Sequence, residues 1–347
     1  MSKVKWGVIG AGGIADRRTI PGMMLAKNAE LVAVMEVNKE LAEKIRAKYN
    51  AKRAYDNVDD LLADEEVQAV YIASPVIYHK EQVIKAANAK KHILVEKPVA
   101  FSVEDGKELV ELCKKNNVLI ATGFMMRFHA YHQEMKKLVS EGKLGQIVSC
   151  RAQLTCWYPD IPGAWRQQFA TSGGGAMMDM GVHCLDLIQY IVGSKAKKVV
   201  GFTDTKTFKY EVEDSASVIV QLENGANVYI DAYFNIPDAA AKGRMEIYGT
   251  KGSILAEGTI GQVEGGKVEV VISDDTLGYD AQQNRVDVKP IELNVTLGNM
   301  YTKEIESFSN SILNGTPLEV PAEDGIQIQE VVEKAYESSK TGKVMEL

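Results

Sequence analysis

Residues 172–186 read SGGGAMMDMGVHCLD, and three ionisable side chains, Asp179, His183 and Asp186, stand in a run otherwise made of small and apolar residues. On a helix turning about 100° per residue the three fall within about 60° of one another. Met180, Cys184, Leu187, Ile188 and Ile191 occupy a different, apolar arc. Residues 173–193 contain no Lys, Arg or Glu, so the helix reads as buried on most sides and surface decoration is the weakest explanation. Charges on a buried stripe are costly without a partner or ligand. Two chemistries fit the spacing. One is a metal-dependent hydrolase using Asp179, His183 and Asp186. The other is proton transfer: Asp179, four residues before His183, fixes the imidazole tautomer and favours its protonated form. An imidazole titrates near neutrality and is suited to take a hydroxyl proton as an alcohol is oxidised. Asp186 is then a substrate-hydroxyl ligand or a support. The glycines let backbone or substrate approach the helix entrance.

The first 120 or so residues must position a second set of groups. KVKWGVIG (3–10), ELVAVMEV (30–37), VQAVYIA (67–73), HILVE (92–96) and VLIATG (118–123) are short, Val- and Ile-rich runs bounded by turn residues or charged helical sequence. They read as buried parallel strands. Helical stretches at 39–50 and 102–117 lie between them, the second opened by Ser102 with Asp105 in a loose capping box. Such alternation predicts a doubly wound α/β sheet.

GAGGIA at 10–15 fits G-x-G-x-x-A, follows a strand and opens a helix, the context a dinucleotide fingerprint needs. Gly10 permits the tight turn, Gly12 lets a pyrophosphate approach the backbone, and Ala15 allows close helix–strand packing. Gly13 and Ile14 lie at the helix N-terminus, whose amides and positive partial charge suit phosphate. Glu36 ends the second strand, 24 residues after Gly12. A carboxylate there accepts from both ribose hydroxyls and repels a 2′-phosphate, favouring NAD over NADP, with Lys39 nearby as the opposing signal. Lys97, in VEKPV after the fifth strand, falls outside the carboxyl ends of the sheet, where ligands sit. By position alone it is equally a surface lysine before proline.

These segments also carry a resemblance. GAGGIA, AVMEVN (33–38), ASP (73–75) with His79, EKP (96–98), GFMMRF (123–128), WRQQ (165–168), GGGAMMDMGVHCLDL (173–187) and a C-terminal TGK occur in one order along the whole chain. In this the sequence resembles the glucose–fructose oxidoreductase/inositol dehydrogenase (Gfo/Idh/MocA) family. The resemblance implies an N-terminal Rossmann domain, a second domain with an open sheet that often mediates oligomers, and hydride transfer between a secondary alcohol of a sugar or cyclitol and a nicotinamide cofactor. Carried over residue by residue, it makes Lys97, Asp179 and His183 the catalytic set. It adds Ser74, Pro75, His79, Glu96 and Lys97 to the cofactor-binding residues Gly10, Gly12, Gly13, Ile14 and Glu36. Lys97 is suited to stabilise developing alkoxide charge. Val76 departs from the pattern, since many members carry Asn there. Loss of the EKP lysine or of the helix histidine would mark a non-catalytic NAD(P)-sensing regulator of the same fold; both residues are present.

After residue 124 the pattern changes. A helix at 130–141, a strand at 146–158 and the opening helix precede strands at 197–205, 215–222, 226–234, 243–249 and 253–258, with Asn224-Gly225 as a hairpin turn. Helical patterns return at 299–313 and 322–340. The expectation is a Rossmann domain over 1–124 and, over 125–347, an α+β substrate-binding and oligomerisation domain with an open, mostly antiparallel sheet, its C-terminal helix able to pack back on the first. Substrate contacts are expected from Arg127, Trp157, Tyr158, Trp165 and Arg166 beside Asp179, His183 and Asp186, with no metal. His129 and His132 read as exposed or structural.

Length, at 347 residues, is consistent with two domains. Forty Lys+Arg against 47 Asp+Glu gives −7, with no basic footprint for nucleic acid. No run of about 18 apolar residues predicts a membrane span, and the N-terminus lacks a signal-peptide pattern. Cys113, Cys150, Cys156 and Cys184 form no CxxC pair, as in a reduced, cytoplasmic protein. The expected partners are a carbohydrate or cyclitol, NAD and further copies of the chain.

Overall fold

The alternation of short Val/Ile-rich runs with amphipathic segments becomes a parallel sheet in the computed structural model, which describes residues 2–273, 281 and 288–347. The elements run β1 (Val4–Ile9), α1 (Ile20–Leu25), β2 (Ala29–Met35), α2 (Lys39–Tyr49), β3 (Arg53–Tyr55), α3 (Val58–Ala63), β4 (Ala69–Ile72), α4 (His79–Asn88), β5 (His92–Val95), α5 (Val103–Asn116) and β6 (Ile120–Thr122). The sheet order is β3-β2-β1-β4-β5-β6, every pair parallel. This is the doubly wound order, with the switch point between β1 and β4. β1 and β4 are buried on both faces, which is why they read as continuous apolar runs.

Polar residues at the helix starts supply the acceptors that the first turns need. The side chains of Asn38, Asn57 and Ser102 accept from the amides of Leu41, Asp60 and Asp105 at 3.0, 2.9 and 3.2 Å; each such cap contributes about 1 kcal/mol. The Ser102 pairing is the one its spacing predicts. Two further helices belong to the chain's last part, α9 (Met300–Asn314) and α10 (Ala322–Thr341). α9 packs on the first unit: Phe308 meets Trp6 at 5.6 Å between centroids, and Trp6 Nε1 donates to Ser309 Oγ at 3.1 Å.

Among the described residues the second sheet has nine strands. Its elements are α6 (Ala130–Ser140), β7 (Ile147–Thr155), α7 (Phe169–Ser172), α8 (Val182–Val192), β8 (Ala196–Asp204), β9 (Ser215–Leu222), β10 (Asn227–Tyr233), β11 (Arg244–Gly249), β12 (Gly252–Glu257), β13 (Lys267–Ile272), β14 (Ile291–Glu292) and, at the end, β15 (Met345–Glu346). The order is β14-β13-β12-β11-β7-β10-β9-β8-β15. All pairs are antiparallel except β7 with β10. Asn224-Gly225 turns β9 into β10, Gly225 at φ +88°.

By contact, one unit holds Met1–Phe128, Ala170–Gly173 and Asn299–Gln329, and the other holds His129–Phe169, Gly174–Gly298 and Glu330–Leu347. This division differs from a single cut after residue 124: α9 and the first eight residues of α10 go with the parallel sheet. β3, β13, β14 and β15 go beyond the strands expected from sequence. Three of these are only two or three residues long, too short for any periodicity to register.

Candidate functional site

Two glycine turns lead into the candidate residues, and each is described by itself. In the first, Gly10 adopts φ +74° and its amide donates to Met35 O at 3.1 Å, as does that of Ala11 at 3.0 Å. A Cβ on Gly10 would lie 2.8 Å from the Ser74 amide nitrogen, so glycine is what lets the ends of β1 and β4 meet. Gly13, at φ +56°, has open space around it. The helix that follows contains a π turn, Ala15–Thr19, before α1; such insertions are frequent at functional sites. Glu36, half-buried at the end of β2, accepts the Gly12 amide on Oε2 and the Val37 amide on Oε1, both at 3.0 Å. The strand-end carboxylate expected to meet a ribose thus lies on the glycine turn itself. With an open glycine backbone at a helix entrance and a carboxylate beside it, the residues fit a dinucleotide: Gly10, Gly12, Gly13 and Ile14 would hold the pyrophosphate and Glu36 the adenosine ribose.

The loops after β4 and β5 are tied from beneath. His79 is 1% exposed; its Nε2 lies 2.8 Å from Ser74 O and its Nδ1 2.9 Å from Pro98 O. Burial lowers its pKa, against the opposing pull of those backbone carbonyls. The ring therefore braces the loop after β4 against the loop after β5. Ser74 Oγ donates to Gln82 Oε1 at 2.6 Å, and Pro75 leads into a short turn, Val76–Tyr78. Val76, the departure from the family pattern, is buried. Lys97 is half-buried and joined to Pro98 by a cis peptide bond. Its neighbour Glu96 accepts a hydrogen bond on Oε1 from the Tyr71 hydroxyl, which in turn accepts from Thr19 Oγ1 at 3.0 Å. Arg127, expected to face substrate, is buried instead: its Nη1 donates to Glu319 O and pairs with Asp324, both at 2.9 Å. That guanidinium is committed to holding the segment before α10.

The second turn, Gly173–Ala176, leads into another π turn, Met177–Gly181, and then α8. Asp179 sits in the π turn and His183 and Asp186 in α8, so the run is not one uniform α-helix. His183 is 7% and Asp186 1% exposed. Around them Leu185, Leu187 and Ile188 are fully buried, each contributing about 1.5–3 kcal/mol, which anchors the helix against the cost of its polar groups. Asp179 is half-exposed, and Arg166 Nε approaches its Oδ1 at 3.7 Å. The Arg166 guanidinium also stacks on Trp165, 4.4 Å from its centroid. Burial pushes the Cys156 thiol up to about 12, with the Asp179 charge adding to it, so this thiol near the site is inert.

Aromatic rings form a wall in the same unit. Trp157, nearly half exposed, meets Phe208 edge-on at 5.2 Å; Phe208 stacks on Tyr210 at 5.5 Å; and Tyr158 touches Tyr210 and Phe234 at 6.4 and 5.1 Å. Burial raises the Tyr158 pKa. Trp157 and Tyr158 were expected here; Phe208 and Tyr210 were not. His129 and His132 are buried: His129 Nδ1 accepts from the Tyr131 amide at 3.2 Å, and His132 Nε2 lies 3.2 Å from Thr259 Oγ1. Both are structural. Among the described residues no group of three or more His, Cys, Asp or Glu is arranged for a metal ion, and no helix is long and apolar enough to cross a membrane.

The residue that sequence reasoning missed is Glu213. Its Oε2 accepts the Gly175 amide at 2.8 Å and its Oε1 the Met177 amide at 2.9 Å and the Tyr336 hydroxyl at 2.8 Å. Burial holds its carboxyl above the usual range in spite of those donors. The signal that could have found it is an absence of local capping: GGGA offers no Ser, Thr, Asp or Asn for the amides that open the helix.

Comparison with known proteins bears on the same two regions. A family model described as "Oxidoreductase family, NAD-binding Rossmann fold" matches residues 4–124, and one described as "Oxidoreductase family, C-terminal alpha/beta domain" matches residues 136–347. The chain is 25% identical to 1,5-anhydro-D-fructose reductase of Ensifer adhaerens over 344 residues, covering 99% of this chain and 98% of that one. It is 26% identical to D-glucoside 3-dehydrogenase of Escherichia coli, covering 100% and 98%. In fold it is similar to an aldose-aldose oxidoreductase from Caulobacter crescentus solved with glycerol, with a TM-score of 0.89, 24% identity and coverage of 99% and 100%.

Proposed function

The chain belongs to the Gfo/Idh/MocA oxidoreductase family and, with relatives named as sugar and cyclitol dehydrogenases and reductases, is a dehydrogenase acting on CH–OH groups; on that premise we propose that it oxidises a secondary hydroxyl of a sugar, glycoside or inositol with NAD, or reduces the matching keto compound with NADH. The observation that carries the reading is the ionisable stripe Asp179, His183 and Asp186 at the start of an otherwise apolar, buried helix. Position C3 of a glucosyl unit is the proposed site of oxidation, by analogy with the D-glucoside 3-dehydrogenase of Escherichia coli. NAD is proposed over NADP because the Glu36 carboxylate lies on the glycine turn.

Oxidation breaks an O–H and a C–H bond at the same carbon and forms a carbonyl. His183 takes the hydroxyl proton onto a ring nitrogen. Asp179, steadied by Arg166, orients that imidazole and offsets its positive charge. Lys97 donates a hydrogen bond to the substrate oxygen and stabilises the charge that develops there. Asp186 accepts from a second substrate hydroxyl or supports His183. Bound nicotinamide supplies the hydride acceptor. Trp157, Tyr158 and Trp165 supply apolar faces for the sugar ring, and Arg166 a donor. The same proposal has the protein act in the cytoplasm as a homo-oligomer. Supporting the second point, Phe202, Val148, Ile219 and Tyr229 on neighbouring strands of the second sheet are exposed, Phe202 by 77%.

The test is a panel of hexoses, glycosides and inositols with NAD and NADP, read by absorbance of the reduced cofactor. Turnover with NAD on at least one member is expected. NAD binding without turnover of any member, in either direction, would favour the non-catalytic regulator. Lys97→Ala and His183→Ala should each lower kcat at least ~100-fold, with NAD affinity by calorimetry near that of the parent. Near-normal turnover in either variant removes that residue from its role.

A further inference from the structure

We propose that the adjacent carboxylates Glu213 and Asp214 are positioning residues for the dehydrogenase site, Glu213 holding the glycine turn ahead of Asp179 and His183, and Asp214 holding the aromatic loop that faces Trp157. The inference rests on the function proposed above.

Both residues immediately precede β9, in the stretch EVEDSAS, and their side chains take different sets of partners. Glu213 goes to the helix entrance. The amides of residues 175, 176 and 177 all end on it: the first and third on the carboxylate, the second on its backbone oxygen at 3.0 Å. A helix leaves its first amides without partners, and Ala176 at this start offers no side-chain cap. Glu213 therefore supplies from another part of the chain what a local Ser or Asp supplies elsewhere. The glycines are shaped by it. A Cβ on Gly175 would lie 2.0 Å from Glu213 O, and one on Gly174 would lie 2.3 Å from the Tyr336 hydroxyl. The close approach expected at this turn is thus made by Glu213 and Tyr336.

Asp214 takes the other set of partners and is fully buried. Its Oδ1 accepts from the Lys206 amide at 2.9 Å, Ser215 Oγ at 2.7 Å and Asn235 Nδ2 at 3.1 Å. Its Oδ2 accepts from the amides of Thr207 and Phe208 at 2.8 and 3.0 Å. Three successive amides wrapped on one carboxylate fix the loop that carries Phe208 and Tyr210, and with it the edge-on contact to Trp157. Two neighbouring side chains thereby hold two different parts of one site, the proton-transfer helix and the ring-binding wall.

The experiment uses the full chain with NAD and the best substrate of the panel. Glu213→Ala should lower kcat roughly 10- to 100-fold with KM within about threefold, because a displacement of about 1 Å at the proton acceptor is felt in turnover. Glu213→Gln, which keeps an oxygen acceptor, should recover most of that loss. Asp214→Asn should raise substrate KM about tenfold and leave kcat near the parent. Unchanged kinetics in the folded variants, or both variants moving the same parameter, would overturn the proposal. Should an alanine variant fail to fold, Tyr336→Phe and Ser215→Ala remove single donors from the same carboxylates and must show the same kcat-against-KM split in milder form. Amide hydrogen exchange gives a reading that needs no turnover. Residues 175–177 must exchange faster only in the Glu213 and Tyr336 variants, and residues 206–208 only in those of Asp214 and Ser215. Joint or absent changes count against the proposal, whereas a parent inactive on the whole panel counts against the dehydrogenase function itself.

Discussion

The two glycine turns make the same device from opposite materials. At each, glycines open a helix, a π turn follows within a few residues, and a glutamate carboxylate takes backbone amides: Glu36 that of Gly12, and Glu213 those of Gly175 and Met177. At the first turn Gly10 and Gly12 meet Ser74 and Glu36 but a Cβ built on Gly13 meets nothing; at the second, Glu213 and Tyr336 are pressed against Gly175 and Gly174. The first turn keeps open space at Gly13, and the second has its partner supplied from within the protein. A glycine-rich helix entrance is therefore ambiguous until the carboxylate opposite it is found.

The largest effect that would break this contrast comes from adding a methyl group to each turn. Gly175→Ala drives a Cβ into the backbone of Glu213 and should cost more than about 3 kcal/mol by equilibrium denaturation. Gly13→Ala meets open space and should cost only the ~1–2 kcal/mol of its left-handed backbone. Equal costs would mean that the turns are packed alike. A second, smaller effect sharpens what Glu36 is for. Glu36→Gln keeps an acceptor for the Gly12 amide but removes the charge. The ratio of NADP to NAD affinity by calorimetry should rise about tenfold, the size of a charge–charge term of ~1 kcal/mol or a little more near the surface. An unmoved ratio would make Glu36, like Glu213, a residue of the turn alone.

The smallest effect concerns acid. Burial pushes the Asp214 carboxyl up, but the amides of Lys206 and Phe208, the Ser215 hydroxyl and the Thr207 amide together outweigh it and hold the group below its ordinary value. A depressed carboxyl stabilises the fold above the unfolded-state pKa of ~3.9, and that contribution is lost as pH falls through the lower folded value. Parent and Asp214→Asn should therefore differ in denaturation free energy at neutral pH and converge as pH falls below the unfolded-state value. Parallel pH profiles would deny Asp214 its charged role.

What the sequence made legible follows from range. GAGGIA, Glu36 and the strands of the parallel sheet are marked by local pattern, and β1, β2, β4, β5 and β6 lie where their apolar runs place them. β3, β14 and β15 have too few residues to show a period, whereas β13 carries alternating Val268 and Val270 that a closer reading would catch. In the site, the stripe of Asp179, His183 and Asp186 is visible because its members are neighbours. Glu213 is 38 residues from Gly175, and no spacing rule spans that distance. Arg127 and His79 had the residue types of ligand contacts, but burial gives them internal partners, which only the fold could show.

The ends of the second sheet decide one further matter. β14 and β15, at its two edges, are each two residues long, and short edge strands offer little template for another chain's backbone. The exposed Phe202, Ile219 and Tyr229 lie on the broad side of the sheet instead. The homo-oligomer proposed above would therefore use the broad side of the sheet, with strand-by-strand growth of the kind seen in fibrils disfavoured at its short edges.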